Sequence, residues 1–324
     1  MLLLLMLAAC VQAPSFMRPA SEPAHRIAVL GWWLIAIATI VFVVVMVLLL
    51  VPLMHRRQEI AHADVHGGGG ERMILIGGAL IPAIILIAVF LFSLPTLSAT
   101  ITPSSRPRYT IEVSGHQWWW EVTYHTADPS FRVTTANEIH IPVGEDIGVR
   151  VNSRDVAHSF WVPELQGKID LIPGQTNTFW LRADKPGIYR GQCAEYCGMQ
   201  HAHMGVVVVA QSAAQYADWL RGQEAPVTAP RTTDDSLGAQ AFQRGACSLC
   251  HTIRGTDAHG VLGPDLTHVG SRLTLAAGMI PNTRGHLQGW IANAQGVKPG
   301  VAMPTLYLDA TSLQALAAYL ESLR

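Results

Sequence analysis

Charged residues are scarce in this chain of 324 residues. Asp, Glu, Lys and Arg make up 14% of the sequence and hydrophobic residues 50%, whereas an ordinary soluble protein carries about 25% charged residues. Intrinsically disordered chains are rich in charge and poor in apolar residues, so the composition excludes that class. The shortage of charge indicates a membrane protein with a soluble part, and the length predicts about two folded units.

A basic surplus is also absent, and cysteine is sparse. The formal net charge is -1, whereas a nucleic-acid binder needs a basic surface that replaces the counterions of the phosphates, so we expect no nucleic-acid partner. Five cysteines are too few for a disulfide scaffold. Four of them form two close pairs, a pattern typical of cofactor chemistry.

The N-terminal segment, 1–26, is predicted to be signal-like. Its first ten residues are apolar and end in small residues before Cys10, as in a bacterial lipoprotein signal, in which this cysteine would carry the lipid. The basic residues that usually open such a signal are missing. Either the true start lies upstream, or the segment is an ordinary cleaved signal or a frayed tail.

Two uncharged runs, 27–51 and 73–97, predict a hairpin of transmembrane helices within 27–100. About 20 apolar residues suffice to cross the bilayer core, and the proline at position 82 is tolerated because neighbouring helices satisfy the freed carbonyl. Arginines between the runs favour a cytoplasmic loop. We therefore expect a multi-pass protein of a bacterial cell membrane, with everything after residue 100 on the periplasmic or outer face.

The region 101–222 is predicted to be an all-β domain. Short β-branched or aromatic segments at 109–113, 147–151, 178–181 and 205–209 are separated by turn signals rich in Pro and Gly. Several short strands at this spacing favour a sandwich or a barrel.

A cluster of metal-ligand residues ends this domain, in the stretch Cys193-Ala-Glu195-Tyr-Cys197-Gly-Met-Gln-His201-Ala-His-Met204. Thiolate, imidazole and thioether groups together suit copper. Two cysteines four residues apart on one loop can place both sulfurs between two ions, and His158 can join them from an adjacent strand. A disulfide between the cysteines is the alternative, but it gives no reason for the histidine and methionine that follow.

This stretch closely resembles the binuclear copper loop of cytochrome c oxidase subunit II. The two-helix hairpin and the segments 115–120, 155–159, 173–174 and 191–193 match the family pattern in order, so the resemblance covers about 27–210. It implies a cupredoxin-like domain that binds two copper ions. The implied copper ligands are Cys193 and Cys197 as bridges, His158 and His201 on one ion each, Met204 as a weak ligand and the Glu195 backbone carbonyl.

The resemblance also implies roles for two neighbouring side chains. Trp118 would be the point at which an electron arrives from cytochrome c, and the Glu195 side chain would face a magnesium ion at the contact with subunit I. Four further histidines fit no ligand position: His116, His125, His140 and His203. The second helix departs from the family pattern in the spacing between its glutamate and its proline, because Glu71 lies eleven residues before Pro82. Its role in proton uptake is therefore open, and an acidic residue at a helix N-terminus is equally explained by the helix dipole.

A Pro/Thr/Ala-rich linker, 223–235, leads to a second soluble domain, 236–324, predicted to be all-α. A helix from Ser236 runs into Cys247-Ser-Leu-Cys250-His251, the pattern of covalent haem attachment with a histidine ligand to iron. The alternative interpretations of this motif are a redox dithiol and a zinc half-site, but no second pair of ligands accompanies it. Segments 263–266 and 270–272 resemble the haem-packing loop of class I cytochromes c.

The sixth ligand to iron is expected to be Met303, which is followed by Pro304 and a closing helix over 311–323. The alternative methionine is Met279, and three histidines remain further alternatives: His259, His268 and His286. Met/His ligation suits an electron carrier of raised potential.

The sequence therefore predicts the electron-input subunit of a haem–copper cytochrome c oxidase with its own fused cytochrome c. Electrons would pass from a donor such as cytochrome c or a bc complex to the covalent haem, then to the copper pair, and on to haem in subunit I for oxygen reduction. Subunits I and III and membrane lipid are the expected partners. The alternatives are the equivalent subunit of a nitric oxide reductase and a membrane copper-delivery protein, whereas a quinol oxidase subunit is disfavoured because it would not need the copper ligands.

Overall fold

The computed structural model describes residues 13–54, 70–103, 105–125, 132–227, 230 and 232–324. Two helical segments in this part of the chain, Glu22–Val51 and Gly70–Ile101, are long and apolar enough to cross a membrane. The first belongs to α1 (Glu22–Met54). The second consists of α2 (Gly70–Leu75), a π-helical turn (Ile76–Leu80) and α3 (Ile81–Ile101), and α1 packs against α3.

Both helices are longer than the predicted runs 27–51 and 73–97. Charged or polar residues at a helix end add turns to the helix without adding to its apolar stretch, so hydropathy alone underestimates its length. The π-helical turn ends at Leu80, two residues before Pro82. Proline lacks the N–H that an α-helix needs at this position, and a widened turn accommodates that loss.

The segment before α1 is bound to the β-sheet region rather than separate from it. The Ala20 N–H donates to Glu164 O at 2.8 Å, and the Ala20 carbonyl accepts from the Asp184 N–H at 2.8 Å. The Ser21 hydroxyl donates to Leu165 O. The predicted boundary at residue 26 is therefore not a structural boundary, because α1 begins at Glu22. The expected lipid site, Cys10, lies outside the described residues.

The predicted all-β, cupredoxin-like domain is confirmed as two packed sheets, here called the β-domain. One sheet has the order β3-β2-β1-β5-β8 and the other β4-β10-β9-β6-β7. Alternate side chains fill the space between the sheets, including Trp120, Val122 and Phe160. The strands are β1 (Tyr109–His116), β2 (Trp119–His125), β3 (Arg132–Ala136), β4 (Glu138–Pro142), β5 (Ile147–Ser153), β6 (His158–Trp161), β7 (Ile169–Leu171), β8 (Asn177–Leu181), β9 (Gly187–Cys193) and β10 (Gly205–Gln211).

Helices follow β10, and those after residue 232 form the helical domain. They are α4 (Ala213–Glu224), α5 (Thr233–Arg244), α6 (Cys247–Cys250), α7 (Arg284–Ala292), α8 (Ala294–Val297) and α9 (Ala310–Ser322), with a short β11 (Thr274–Leu275) and β12 (Ile280–Pro281) between α6 and α7. The closing helix α9 crosses α5 closely, since a Cβ on Gly238 would lie 2.1 Å from Ala315 O.

The helix predicted from Ser236 begins three residues earlier. The Thr232 side chain accepts a hydrogen bond from the Asp235 N–H, and the Asp235 carboxylate accepts one from the Thr232 N–H. This reciprocal capping box satisfies N–H groups that the helix itself leaves unpaired. With α4 ending at Glu224, the segment between helices is shorter than the predicted linker 223–235.

Candidate metal and haem sites

The candidate copper site lies where β9 ends and β6 begins. Cys193 is the last residue of β9 and pairs with Phe160 of β6. His158 precedes Phe160 by two residues on the same strand, so it lies close to Cys193. The chain then forms a closed loop, because the Cys193 N–H donates to Met204 O at 2.9 Å and the Ala194 N–H donates to Ser159 O at 2.9 Å. Backbone hydrogen bonds thus hold both ends of the loop to the sheet.

The six predicted ligand groups converge in this loop. The two thiol sulfurs, Cys193 Sγ and Cys197 Sγ, are 3.8 Å apart. The remaining distances are His158 Nδ1 to Cys193 Sγ, 3.9 Å; Glu195 O to Cys193 Sγ, 3.2 Å; His201 Nδ1 to Cys197 Sγ, 3.7 Å; and Met204 Sδ to Cys197 Sγ, 3.8 Å.

The two sulfurs are free thiols in this structure. A disulfide requires a separation of about 2.05 Å, whereas two metal–sulfur bonds of about 2.3 Å to a shared ion can span the observed gap. The donor atoms of His158, Cys193 and Cys197 all lie within 4.8 Å of one another. Thiolate, imidazole and thioether are donors that copper accepts, so these residues fit a copper site.

Electrostatics favour a thiolate in the loop. Hydrogen bonding from the Cys197 thiol, assisted by His158, lowers the pKa of Cys193 to about 3 against the opposing effect of burial. The hydrogen bond with Cys193 and burial raise the pKa of Cys197, and the negative charge of Cys193 adds to that effect. A cation between the sulfurs would remove that conflict.

His158 is held in one orientation by a carboxylate. Its Nε2 lies 2.8 Å from Asp155 Oδ1, which leaves Nδ1 directed toward the sulfurs. Burial lowers the pKa of His158, but hydrogen bonds with Cys193 and Asp155 outweigh that effect and leave the pKa raised. A carboxylate behind a histidine is the usual means of fixing the ring of a metal ligand.

The candidate haem site is a cavity of about 350 Å³ in the helical domain. Cys247, Cys250, His251 and Met303 all line it. The His251 ring is oriented by Nδ1, which donates to Pro264 O at 2.7 Å and leaves Nε2 available. Burial lowers the pKa of His251, which favours the neutral ring that binds iron.

Two further observations show that this cavity fits a haem. A Cβ on Gly263 would lie 2.6 Å from His251 Cε1, so a glycine is needed for the histidine to occupy its position. Arg272 lines the cavity, and its buried Nε has no hydrogen-bond partner among the described residues. A guanidinium in that situation suits a carboxylate such as those that a haem carries.

Met303 is placed by a residue that the sequence analysis missed. Gln295 Nε2 donates to Val301 O at 2.6 Å and to Met303 O at 2.8 Å. Its Oε1 accepts from the Gly300 N–H at 2.9 Å. The alternative ligands are not among the residues that line the cavity: Met279, His259, His268 and His286.

Two family models match this chain. The periplasmic domain of cytochrome c oxidase subunit II matches residues 126–211, and cytochrome c matches residues 236–324. Cytochrome c oxidase subunit 2 of Alkalihalophilus pseudofirmus is 36% identical over 79% of this chain and 74% of that protein. Cytochrome c oxidase subunit 2 of Bacillus sp. strain PS3 is 28% identical, and the match covers 79% of this chain and 75% of that protein. Quinol oxidase subunit 2 of Bacillus cereus is 30% identical, and the match covers 72% of this chain and 80% of that protein.

The chain belongs to the cytochrome c oxidase subunit II family. It is therefore a membrane-anchored subunit of an oxidoreductase complex, with a role in electron input and with other subunits as partners. The family implies copper in the β-domain, and the cytochrome c match implies haem c in the helical domain. The resemblance inferred from the motifs is confirmed.

In this subunit II chain, Trp118 lies between the two sites. Its indole Nε1 donates to Cys197 O at 2.9 Å, and the neighbouring Gln117 Nε2 donates to the same carbonyl at 2.7 Å. Trp118 also lines the haem cavity and is 8% exposed. Gly198, with a φ of +113°, allows the copper loop to pass so close to the ring.

The histidines without a predicted ligand role have other contacts. His116 stacks on Trp119 with ring centroids 4.3 Å apart, and His203 Nδ1 lies 2.7 Å from Gln200 Oε1. His140 stacks on Trp219 and lies 2.8 Å from Glu138. His125 Nε2 lies 3.7 Å from Glu112 Oε2.

Glu71, whose role in proton uptake the sequence left open, is exposed in the first turn of α2.

Proposed function

We propose that this chain accepts electrons from a donor at a covalent haem c in its helical domain and passes them through a binuclear copper centre in its β-domain to haem in subunit I. The haem would be attached at Cys247 and Cys250, and His251 and Met303 would bind its iron. The copper ions would be held by the six groups of the closed loop and β6: His158, Cys193, the Glu195 carbonyl, Cys197, His201 and Met204.

One observation carries this proposal. Trp118 lines the cavity that contains the haem-attachment motif, and its indole N–H donates to the carbonyl of Cys197. The residue expected to receive electrons is thus in contact with both candidate sites. This continuity supports electron transfer within the chain.

The protein side chains prepare the copper loop for a redox role. When bound, the copper pair and the haem would each supply a site for one electron. Burial of Cys193, Cys197 and Met204 keeps water from the loop, and Asp155 fixes the His158 ring. Rigid donors on a β-scaffold keep the rearrangement that accompanies electron transfer small.

The proposed setting is a bacterial cell membrane crossed twice, with both soluble domains on the periplasmic or outer face. Subunit I, subunit III and membrane lipid are the proposed partners, and cytochrome c or a bc complex is the proposed donor. Magnesium at Glu195 remains a prediction. The side chain is exposed, as a ligand shared with another subunit requires.

The test is metal and haem analysis with EPR spectroscopy on the full chain purified from membranes. Two coppers per chain that share one unpaired electron, with one covalent low-spin haem, are expected. One copper or none, with a Cys193–Cys197 disulfide, would contradict the copper centre. Copper that is readily lost and carries no electron to subunit I would favour a copper-delivery protein. The reaction catalysed by the neighbouring catalytic subunit separates an oxidase from a nitric oxide reductase.

The relationship to a quinol oxidase subunit does not change this proposal. The Bacillus cereus relative carries that name at 30% identity. This chain retains six converging copper-ligand groups and a haem-attachment motif, which together favour a donor that delivers single electrons.

A further inference from the structure

A buried lysine connects the two soluble domains. Lys298 follows α8 of the helical domain and is 2% exposed. Its Nζ donates to Trp118 O at 2.7 Å, to His203 O at 2.7 Å and to Ala276 O at 3.2 Å. The first two carbonyls belong to the β-domain and the third to the helical domain.

This ammonium group has no carboxylate within salt-bridge distance among the described residues. A buried lysine is ordinarily paired with an acid, because burying an isolated charge is unfavourable. An ammonium has three N–H donors, and here three carbonyl oxygens receive them. Burial lowers the pKa of Lys298 to about 7. The bonds to the β-domain exist only while the domains are docked, so the arrangement depends on docking.

Three more hydrogen bonds cross the same interface. The Gly205 N–H donates to Ala277 O at 2.9 Å, and the Leu273 N–H donates to Glu138 Oε2 at 2.8 Å. Gln200 Nε2 donates to Pro299 O at 2.7 Å. The two backbone amides report on docking, because each pairs with an acceptor in the other domain.

We propose that Lys298 is a positioning residue that docks the helical domain on the β-domain and so holds Trp118 at the wall of the haem cavity. The proposal rests on the proposed function, since the position of Trp118 matters only if electrons cross there. Lys298 acts through backbone carbonyls and is not itself a ligand in either candidate site.

The first test is hydrogen exchange in the intact oxidase complex carrying Lys298→Met. Methionine keeps most of the length of the side chain and removes all three donors. We expect the Gly205 and Leu273 amides to exchange at least tenfold faster, whereas the Val113 and Val149 amides within the β-sheet stay unchanged. Lys185→Met is the matched control, because this exposed lysine precedes β9 at the end opposite the copper loop. Unchanged exchange at both interface amides overturns the proposal.

The second test is the rate of single-electron transfer from reduced haem to oxidised copper, with EPR and haem spectra as controls on the sites. We expect Lys298→Met to slow this transfer at least tenfold with both spectra unchanged, and Lys298→Arg, which keeps the charge and several donors, to recover most of the rate. Faster exchange without slower transfer overturns the positioning role.

A third variant keeps the proposal testable if Lys298→Met is not recovered as a folded protein. Lys298→Gln keeps two N–H donors, and we expect about threefold faster exchange at Gly205 and Leu273. Unchanged exchange in that variant overturns the proposal. If the unmodified chain lacks the copper EPR signal or the covalent haem, the proposed function fails instead, while the exchange data still measure the docking contact.

Discussion

The copper loop and the haem cavity are organised in opposite ways. In the copper loop, five of the six ligand groups come from twelve consecutive residues, and backbone hydrogen bonds from Cys193 and Ala194 hold that loop to the sheet. The haem motif and Met303 are some fifty residues apart, and they meet around a cavity of about 350 Å³ that the helical domain lines together with Trp118 and its neighbours in the β-domain. The first site is therefore built by its scaffold, whereas the second is a cavity that the cofactor would fill.

The sharpest test of this contrast is to prevent haem attachment with a Cys247→Ala/Cys250→Ala double variant. We expect the helical domain to lose cooperative unfolding, because a cavity of this size removes several kcal/mol from a small domain at about 24 cal/mol per Å³. The copper EPR signal should persist. Calorimetry with EPR measures both, and a helical domain that still melts cooperatively would contradict the idea that haem forms its core.

The complementary variant is Cys197→Ser, which removes one bridging thiolate from the copper loop. We expect loss of the shared-electron EPR signal and loss of electron transfer to subunit I by at least a hundredfold. The melting temperature of the β-domain should change little, because serine nearly keeps the size of this buried side chain and most of the core lies between the two sheets. Metal analysis and calorimetry check this, and retention of two coppers with the same spectrum would contradict the ligand assignment.

A smaller effect is expected when the carboxylate behind the copper ligand is neutralised. Asp155→Asn keeps a polar group near His158 Nε2 but removes the charge. Loss of such a partner typically lowers metal affinity about 10–100-fold, so we expect the copper affinity to fall by about that factor. Competition with a copper chelator measures it. Asp170→Asn is the control, since this exposed residue on β7 pairs with Ser159, so its side chain lies on the opposite face of the sheet from His158. Equal copper affinity in both variants would show that Asp155 has no orienting role.

The smallest effect is expected at the loop that carries Met303. Gln295→Ala removes two hydrogen bonds to carbonyls of that loop. At the lower end of the usual range, about 0.5 kcal/mol for each net hydrogen bond, the loss is about 1 kcal/mol, so cyanide should displace methionine from the haem iron about fivefold more readily. Optical titration with cyanide measures this. The haem should stay covalently attached and the copper spectrum unchanged. An unaltered cyanide affinity would argue against a role for Gln295 in holding the ligand.

The sequence supports prediction of features that are local in the chain. The copper loop, the haem-attachment motif and the apolar helices are each readable because their residues are neighbours. Helix ends were less predictable, since they depend on capping groups such as Thr232 and on the turn before Pro82. Lys298 and Glu138 could not be found, because their partners are set by how the domains dock. Gln295 could not be found either, because its partners are backbone groups of a loop whose path the sequence does not give. A lysine directly before Pro-Gly on the approach to Met303 was the only available signal, and it does not distinguish a surface turn from a buried contact.

The covered position of Trp118 has a kinetic consequence. A Cβ on Gly300 would lie 3.5 Å from the ring, so the helical domain closes the surface through which a diffusing protein would reach the indole. Under the proposed function, a soluble donor would then deliver its electron to the haem, and only that first step would depend on donor concentration. The step onto copper would be first order, with a tethered reactant whose effective concentration is fixed by the chain. Salt and dilution should therefore slow loading of the subunit without slowing the internal transfer that follows.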